Sequence, residues 1–478
     1  MTEVIGFFPP KWAKNERINY ETKTIGQTAI RYPRLTDEQM KSLTTYMKEE
    51  AYPSIQQLSL YQIVSSIDGA IHRLLRKGEE RTTLERQIAS IGEYDEEMIR
   101  LHLTSYLQTF RQLELRKFLA EDFPNPQILE QFVPRVKGGY TKAVPSPLTT
   151  HIWSGNVPGV SLWSFISNLL VRGPIIGKVA TREPFVATAF AHALYEEDEQ
   201  LANACAVIFY ERTDQVRHTL YDASPVVVAY GHNDTLNTIQ KELKGTTRFL
   251  RYGHKMSFGI IHRETLNHYH YEETIQWMAQ DIVRFNQQGC YSPQFFFVQK
   301  GAALSPKEVA PLLFHALRQL EARHPLQPLS LEEKKTIQSF HERGRIRAIQ
   351  EREALFLRDR EGKYSVKYEP NLQIEPSPLS RNVTIIPFDS IEEIQQLMKR
   401  FRMYLQTTSI HAPTEEMVKW ANALAQIGVT RFSSLGKMTE TEAGWHHDGR
   451  MNLLDLVQFV DIDEALLHMS DRFVAYRE

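Results

Sequence analysis

Two cysteines occur in the 478 residues, and their neighbours set them apart. Cys290 stands in Phe285-Asn286-Gln287-Gln288-Gly289-Cys290-Tyr291-Ser292-Pro293-Gln294, directly after a glycine, at the end of a helical pattern and before an apolar β-rich run. A glycine there lets a substrate or another backbone approach the sulfur. A thiolate so placed can act as a nucleophile and carry an acyl group. Cys205 lies in Ala204-Cys205-Ala206-Val207-Ile208-Phe209, where a small buried hydrophobe is expected. Two cysteines are too few for a disulfide scaffold and fit a reducing compartment.

Other chemistries find less support. The dinucleotide fingerprint G-x-G-x-x-G is absent, and Gly173-Pro174-Ile175-Ile176-Gly177-Lys178 lacks the spacing and the hydroxyl residue of a phosphate loop. His268, His270 and the pair His446-His447 have no partners at metal-ligand spacing, so no metal site is expected. The net charge of −2 gives no basic field for nucleic acid or anionic lipid. The apolar run at 160–171 has 12 residues, short of the roughly 20 a membrane helix needs. The first 17 residues lack the basic and apolar regions of a secretory signal, so a cytoplasmic protein is expected.

The elements that must position the thiol follow from pattern. Residues 1–123 read as helical: Thr36-Asp37-Glu38-Gln39 has capping-box form, and Ile99, Leu103, Tyr106, Leu107 and Phe110 recur at helical spacing. Residues 124–150 turn to Pro, Gly and Thr, which suits a projecting hairpin arm. Beyond 151, β-rich runs at 174–180, 204–210, 225–231 and 256–262 alternate with helical stretches at 185–195 and 233–243. A helix at 271–286, a strand at 294–299 and a helix at 306–323 continue the alternation. The expectation is an α/β fold with two serial α/β domains built on parallel sheets. Boundaries fall at 1–253 for the helical layer plus a cofactor-binding domain, 254–440 for a catalytic domain, and 441–478 for a tail returning to the core. The mixed charges at 331–360 read as a solvated helical face.

Two further segments join the thiol. Ser154-Gly155-Asn156-Val157-Pro158-Gly159 links a strand to an apolar helix, and Ile175-Ile176-Gly177-Lys178-Val179-Ala180-Thr181-Arg182-Glu183-Pro184 ends the next strand. Together with 285–290 they resemble the aldehyde dehydrogenase superfamily. Its W-N-F-P, K-P-S-E and F-x-N-x-G-Q-x-C stretches supply an oxyanion-hole asparagine, a contact to the adenosine ribose and the nucleophile. The matching positions here are Asn156, Lys178 and Cys290, at successive separations of 22 and 112 residues. The Gln287-to-Gln294 run, the 155–159 loop and the tail Gly444-Trp445-His446-His447-Asp448-Gly449-Arg450-Met451-Asn452-Leu453-Leu454-Asp455-Leu456 are similar to the long-chain fatty-acyl-CoA reductase family. That family includes the reductase subunit of the bacterial bioluminescence fatty acid reductase complex.

The resemblance implies an aldehyde dehydrogenase-like fold and NADPH-dependent reduction of an acyl-CoA or acyl-protein thioester to a fatty aldehyde through acyl-Cys290. It implies cofactor contacts at Lys178, Thr181, Arg182 and Gly231, a synthetase and an acyl-transferase as partner subunits, and a homo-oligomer joined through the arm. Departures from the hydrolytic relatives sharpen this. Where those enzymes carry a water-activating glutamate in an E-L-G-G-K stretch, this chain reads Arg251-Tyr252-Gly253-His254-Lys255. Thr181 replaces a ribose-binding glutamate and Arg182 follows it, which suits a 2′-phosphate. His254 and Lys255 are candidates for lowering the thiol pKa. A hydrolytic or short-chain aldehyde dehydrogenase and a non-catalytic acyl-carrying subunit remain alternatives.

Overall fold

The computed structural model describes residues 3–25, 28–92 and 94–471. Five strands form the first parallel sheet, in the spatial order Arg248–Tyr252, Val226–Tyr230, Thr149–Ile152, Ile175–Lys178 and Cys205–Ile208. The strand order reverses between Thr149–Ile152 and Val226–Tyr230, and sheets of this kind bind ligands beyond their carboxyl ends at such a switch point. Helices Val160–Leu170 and Phe185–Glu197 pack against this unit. Every residue of the first except Val160 is buried, as an apolar crossover between neighbouring parallel strands requires.

The second sheet has seven strands, ordered Leu355–Arg358, Ser365–Tyr368, Asn382–Phe388, Pro293–Gln299, Met256–Ile261, Leu405–His411 and Arg431–Ser433. All its pairs are parallel except the first. One face is filled by Phe258, Phe295, Phe297, Ile386 and Trp420. The chain passes between sheets at 253–255, and the strand after Cys290 lies at the centre of the second sheet. A third sheet is antiparallel: Val457–Ile462 from the tail pairs with Tyr140–Pro145 of the arm, which pairs with Val133–Pro134.

Several expectations change. The amino-terminal part is not wholly helical, because Asn19–Ile25 and Thr28–Arg34 form an antiparallel hairpin in which Thr22 and Thr24, and Thr28 and Ile30, follow a two-residue alternation. Phe7 attaches this sheet to the first unit through a bridge to Val207. The arm ends before Thr149, which already belongs to the central sheet. The 331–360 stretch is not only a solvated face: after helix Leu331–Gln350 comes an edge strand, and Arg347 is spent on buried Glu369 at 2.9 Å. Among the described residues no helix is long and apolar enough to cross a membrane.

Candidate active site

The helix expected to reach residue 286 stops at Val283. The chain then turns through Phe285, Asn286 and Gln287 with φ of 50°, 51° and 63°. Left-handed backbone costs a non-glycine residue roughly 1–2 kcal/mol, so neighbours must hold it. They do: Asn286 Oδ1 accepts from Arg381 Nε at 3.0 Å and Nη2 at 2.8 Å. Gln287 donates to the Pro293 carbonyl at 2.8 Å and accepts from the Asn382 N–H at 2.9 Å. Leu379, Ser380 and Arg381 are themselves left-handed, with φ of 64°, 51° and 65°, and Ser380 N–H donates to the Asn286 carbonyl at 2.9 Å. Two strained turns therefore brace one another ahead of the thiol. Arg381 is 1% exposed, also pairs with Glu321, and has its pKa lowered to about 10 by burial.

Cys290 is partly exposed and Cys205 fully buried. The Cys290 carbonyl accepts from Ser257 Oγ at 2.7 Å, and the same hydroxyl accepts from Thr407 N–H at 3.1 Å, locking the thiol loop to two strands of the second sheet. Desolvation pushes the thiol up to about 12, and the Asp448 charge acts in the same sense. The Gln406 side chain and the backbone of Cys290 and Tyr291 act in the opposite sense. Burial pushes the Cys205 thiol up as well, with no donor to oppose it.

Asn156 reaches this loop from the first sheet. Its Nδ2 donates to the Gln288 carbonyl at 2.8 Å, two residues before the thiol, and its Oδ1 accepts from Ser154 Oγ at 2.7 Å. One amide hydrogen is thus used to join the two units. From the helical layer, Tyr94 donates to the Asn156 carbonyl at 2.6 Å, and the His102 ring lies 4.4 Å from that of Phe285. A cavity of about 850 Å³ lies against the start of this loop at Phe285, its other walls including Leu101, Tyr106, Leu320, Arg431 and Trp445; Cys290 and Asn156 are not among its lining residues. The volume falls within the roughly 300–1,000 Å³ typical of small-molecule sites.

At the carboxyl edge of the first sheet, Lys178 holds its ammonium 5.6 Å from the ring centroids of Phe209 and Tyr210. Burial lowers its pKa to about 8. Gly231 ends the strand at the switch point with φ of +159°, and the space a Cβ would fill there is open. Helix Asn233–Glu242 starts just beyond it. Thr181 follows Lys178, whereas the Arg182 guanidinium extends to the other unit, 3.4 Å from Glu333 Oε1. Glu183 accepts the backbone N–H of Phe185 and Val186 at 3.2 and 2.9 Å, capping the next helix. A cationic group and an open glycine at a switch point fit a phosphorylated dinucleotide.

The 251–255 stretch sends no carboxylate toward the sulfur. Arg251 is exposed and bonds Gln240 and Asn237 at 3.0 Å each. Lys255 faces Asp448 across 3.6 Å, and desolvation lowers the pKa of His254. The acidic group near the thiol comes instead from the tail: Asp448, with φ of 55°, accepts from Gln406 Nε2 at 2.5 Å. Sequence reasoning missed both residues. Asp448 was legible only as part of the tail, and Gln406, within a β-rich run, carries no signal. Asp95, Glu97 and His324 also gather, but Arg323 holds Glu97 at 3.0 Å, and Asp95 both caps a helix and holds His324 at 2.8 Å.

Residues 55–459 match the family described as Acyl-CoA reductase (LuxC). The chain belongs to that family. Membership makes it an acyl-thioester reductase, an oxidoreductase as the resemblance implied. It is 26% identical over 417 residues to a long-chain acyl-protein thioester reductase of Aliivibrio fischeri, covering 84% of this chain and 82% of that one. A protein so named from Photorhabdus luminescens is 24% identical over 464 residues, covering 94% and 90%. Among solved structures, aldehyde dehydrogenase 21 of Physcomitrella patens, in complex with succinate, superposes with a TM-score of 0.74 at 13% identity, over 97% of this chain and 99% of that one. The glyceraldehyde-3-phosphate dehydrogenase GapN of Methanocaldococcus jannaschii, complexed with NADP, gives 0.68 at 12% identity, over 94% and 99%. This acyl-CoA reductase family member therefore has the aldehyde dehydrogenase-like α/β fold that the sequence led us to expect.

Proposed function

We propose that the chain reduces a long-chain fatty acyl thioester to the fatty aldehyde through acyl-Cys290, with NADPH as reductant. The observation that carries this reading is the junction: a loop bearing the partly exposed Cys290 on one sheet, tied by Asn156 to the switch-point edge of the other, with a large cavity against the same loop at Phe285. The relatives' names support an acyl group delivered on a protein, with acyl-CoA as the small-molecule equivalent. A synthetase and an acyl-transferase are the partner subunits this implies, and a homo-oligomer the assembly.

Cys290 attacks the thioester carbonyl as thiolate. The oxyanion that forms is met by the second Asn156 amide hydrogen and the Cys290 backbone N–H, donors typically worth about 2.7–4 kcal/mol each in a transition state. One thioester replaces another, so the exchange needs no ATP. NADPH, when bound, supplies a hydride for the acyl carbon. Lys178, Thr181 and Gly231 would hold it, and Arg182 would serve a 2′-phosphate in place of its contact with Glu333. Arg251 points outward and brings no carboxylate from the position where hydrolytic relatives carry their base, which supports slow hydrolysis of acyl-Cys290. The thiohemiacetal on Cys290 then collapses to aldehyde and thiol.

The test forms the acyl-enzyme from labelled long-chain acyl-CoA. A hydroxylamine-labile adduct is expected on wild type and on Cys205→Ala, and none on Cys290→Ala. Its decay is then followed alone, with NADH and with NADPH. Slow decay alone and faster decay to aldehyde with NADPH than with NADH is the expected result, and Thr181→Glu should flatten the preference by repelling the phosphate. Rapid spontaneous hydrolysis would favour the hydrolytic alternative. An adduct that neither cofactor discharges would favour the acyl carrier.

A further inference from the structure

The chain as a whole has a net charge of −2, yet one short segment of its surface is strongly cationic. Lys399-Arg400-Phe401-Arg402-Met403-Tyr404 forms a 3-10 turn that continues helix Ile391–Met398 and leads directly into strand Leu405–His411. Phe401 packs onto the core of the second sheet, and the Arg400 guanidinium lies 4.8 Å from its ring centroid. The other side chains of the turn are exposed, Met403 at 79% and Tyr404 at 44%. Among the described residues, Lys399, Arg400 and Arg402 enter no ion pair. Like charges three positions apart on a helical turn destabilise it slightly, and no carboxylate of this chain offsets them.

The turn sits at the rim of the candidate active site. Leu405 is the register partner of Met256, so the turn lies at the amino edge of the second sheet, the edge at which the thiol loop joins its strand at Pro293. Lys255 Nζ donates to the Met403 carbonyl at 3.4 Å and faces Asp448 of the tail at 3.6 Å. Tyr404 precedes Thr407 by three positions, about 10 Å of extended chain. Thr407 N–H donates to Ser257 Oγ at 3.1 Å, and that hydroxyl donates to the Cys290 carbonyl at 2.7 Å. Gly428, with φ of +107°, lets the turn pack closely, since a Cβ there would meet the Arg402 carbonyl at 2.9 Å. The cations are therefore held on a fixed piece of backbone close to the thiol loop.

A site for free phosphates needs cations alone, whereas this turn sets two arginines and a lysine beside an exposed methionine and tyrosine. Arg, Met and Tyr are enriched where proteins meet, and an unpaired cationic rim selects a partner of opposite charge. We propose that residues 399–404 are the docking surface for an acidic protein that delivers the acyl group to Cys290 as a thioester on an extended arm. The inference rests on the acyl-cysteine reading above and deepens it by giving the donor its chemistry. The arm follows from the separation: a donor seated on Met403 and Tyr404 must reach past about 10 Å of strand to the thiol loop. The exchange balances without a further reactant. The Cys290 thiol loses its proton, its sulfur bonds the acyl carbon, the bond from that carbon to the donor sulfur breaks, and the donor leaves as a thiol by taking up a proton.

Rim charges act on encounter more than on chemistry, and steering of this kind changes association rates by about tenfold or more. Lys399→Gln, Arg400→Gln and Arg402→Gln together should therefore slow acylation by the protein donor at least about tenfold at low salt and subsaturating concentration. The same variant should react normally with an uncharged thioester, which has no surface to dock. Added salt should slow the wild type with the protein donor and leave the variant nearly unaffected, because charges farther apart than about 10 Å are screened at 0.1 M.

The measurement is the rate of label transfer to Cys290 on the full-length chain from three donors of one long-chain acyl group: an acidic acyl carrier protein, which presents it on a phosphopantetheine arm, CoA, and neutral N-acetylcysteamine. A loss in the triple variant that is larger with the carrier protein than with CoA, and absent with N-acetylcysteamine, supports the proposal. A loss as large with CoA assigns the rim to phosphates and overturns it. So does a wild type that takes the acyl group no faster from the carrier protein than from N-acetylcysteamine. Sedimentation velocity tests the remaining occupant: an oligomer that dissociates in the variant makes the rim a contact between copies, and the proposal fails. Should the triple variant not fold, Met403→Ser with Tyr404→Ser, both on exposed side chains, gives the same comparison of donors. Wild type that none of the three donors acylates at Cys290 would reject the acyl-cysteine reading itself, so the two failures stay distinct.

Discussion

At the residue scale, the catalytic role proposed for Asn156 can be pulled apart from the bond it makes. Asn156 ties the thiol loop to the first sheet through Gln288, and its second amide hydrogen is free to meet an oxyanion. Loss of one oxyanion donor typically lowers turnover by about 10²–10³-fold with less effect on substrate binding. Loss of a plain structural bond costs about 1 kcal/mol of stability. Asn156→Ala should show both, a small fall in unfolding free energy and a large fall in kcat. Equal kcat values after correction for folded fraction would reduce Asn156 to a tether. Cys290 and Asn156 stood out in the sequence because glycine-flanked motifs announce loops, and the structure joins those two loops through Gln288. The contact between Gln406 and Asp448 was not legible, since it forms only where a β-strand and the distant tail meet.

At the scale of elements, the alternation of β-rich runs and helical stretches exposed most of the two sheets, because burial on both faces leaves continuous apolar runs that composition reveals. The turn ahead of the thiol was misread as helix. Phe285, Asn286 and Gln287 are compatible with helix in isolation, and only Arg381 and Asn382, about 95 residues later, force them left-handed. Arg381 is therefore the element's keystone. Replacing it by Met leaves the buried Asn286 Oδ1 without its donors and takes one cation from Glu321, which keeps Lys363 at 3.6 Å, so the loss should fall near the lower end of the about 3–5 kcal/mol typical of breaking a buried pair. Urea denaturation should register that loss, and iodoacetamide should find Cys290 in a more variable environment, with a broadened rate. Unchanged stability would mean that the two turns hold themselves.

At the scale of the whole molecule, the third sheet is the part whose packing the single chain leaves unfinished. Gly138 and Gly139, with φ of 87° and 75°, close the arm's hairpin, and a Cβ on Gly139 would meet the Ile462 carbonyl at 2.1 Å, so the tail strand closes directly onto the turn. From Gln458 to Asp461 the tail strand is exposed on both faces, with Phe459 at 52% and Val460 at 45%, and its outer edge is unpaired among the described residues. Phe132, Tyr140 and Val136 add exposed apolar surface from the arm. An open edge with apolar residues on both sides is a surface that proteins normally cover, and a second copy of the chain is the partner expected from the arm. Replacing Phe459 and Val460 together by Asp should convert an oligomer to monomers in sedimentation velocity while leaving iodoacetamide reactivity at Cys290 intact, because neither side chain touches the thiol loop. A wild-type chain that sediments as a monomer at micromolar concentration would assign this ribbon to a different protein, and the synthetase and acyl-transferase partners would then be the ones to test against it.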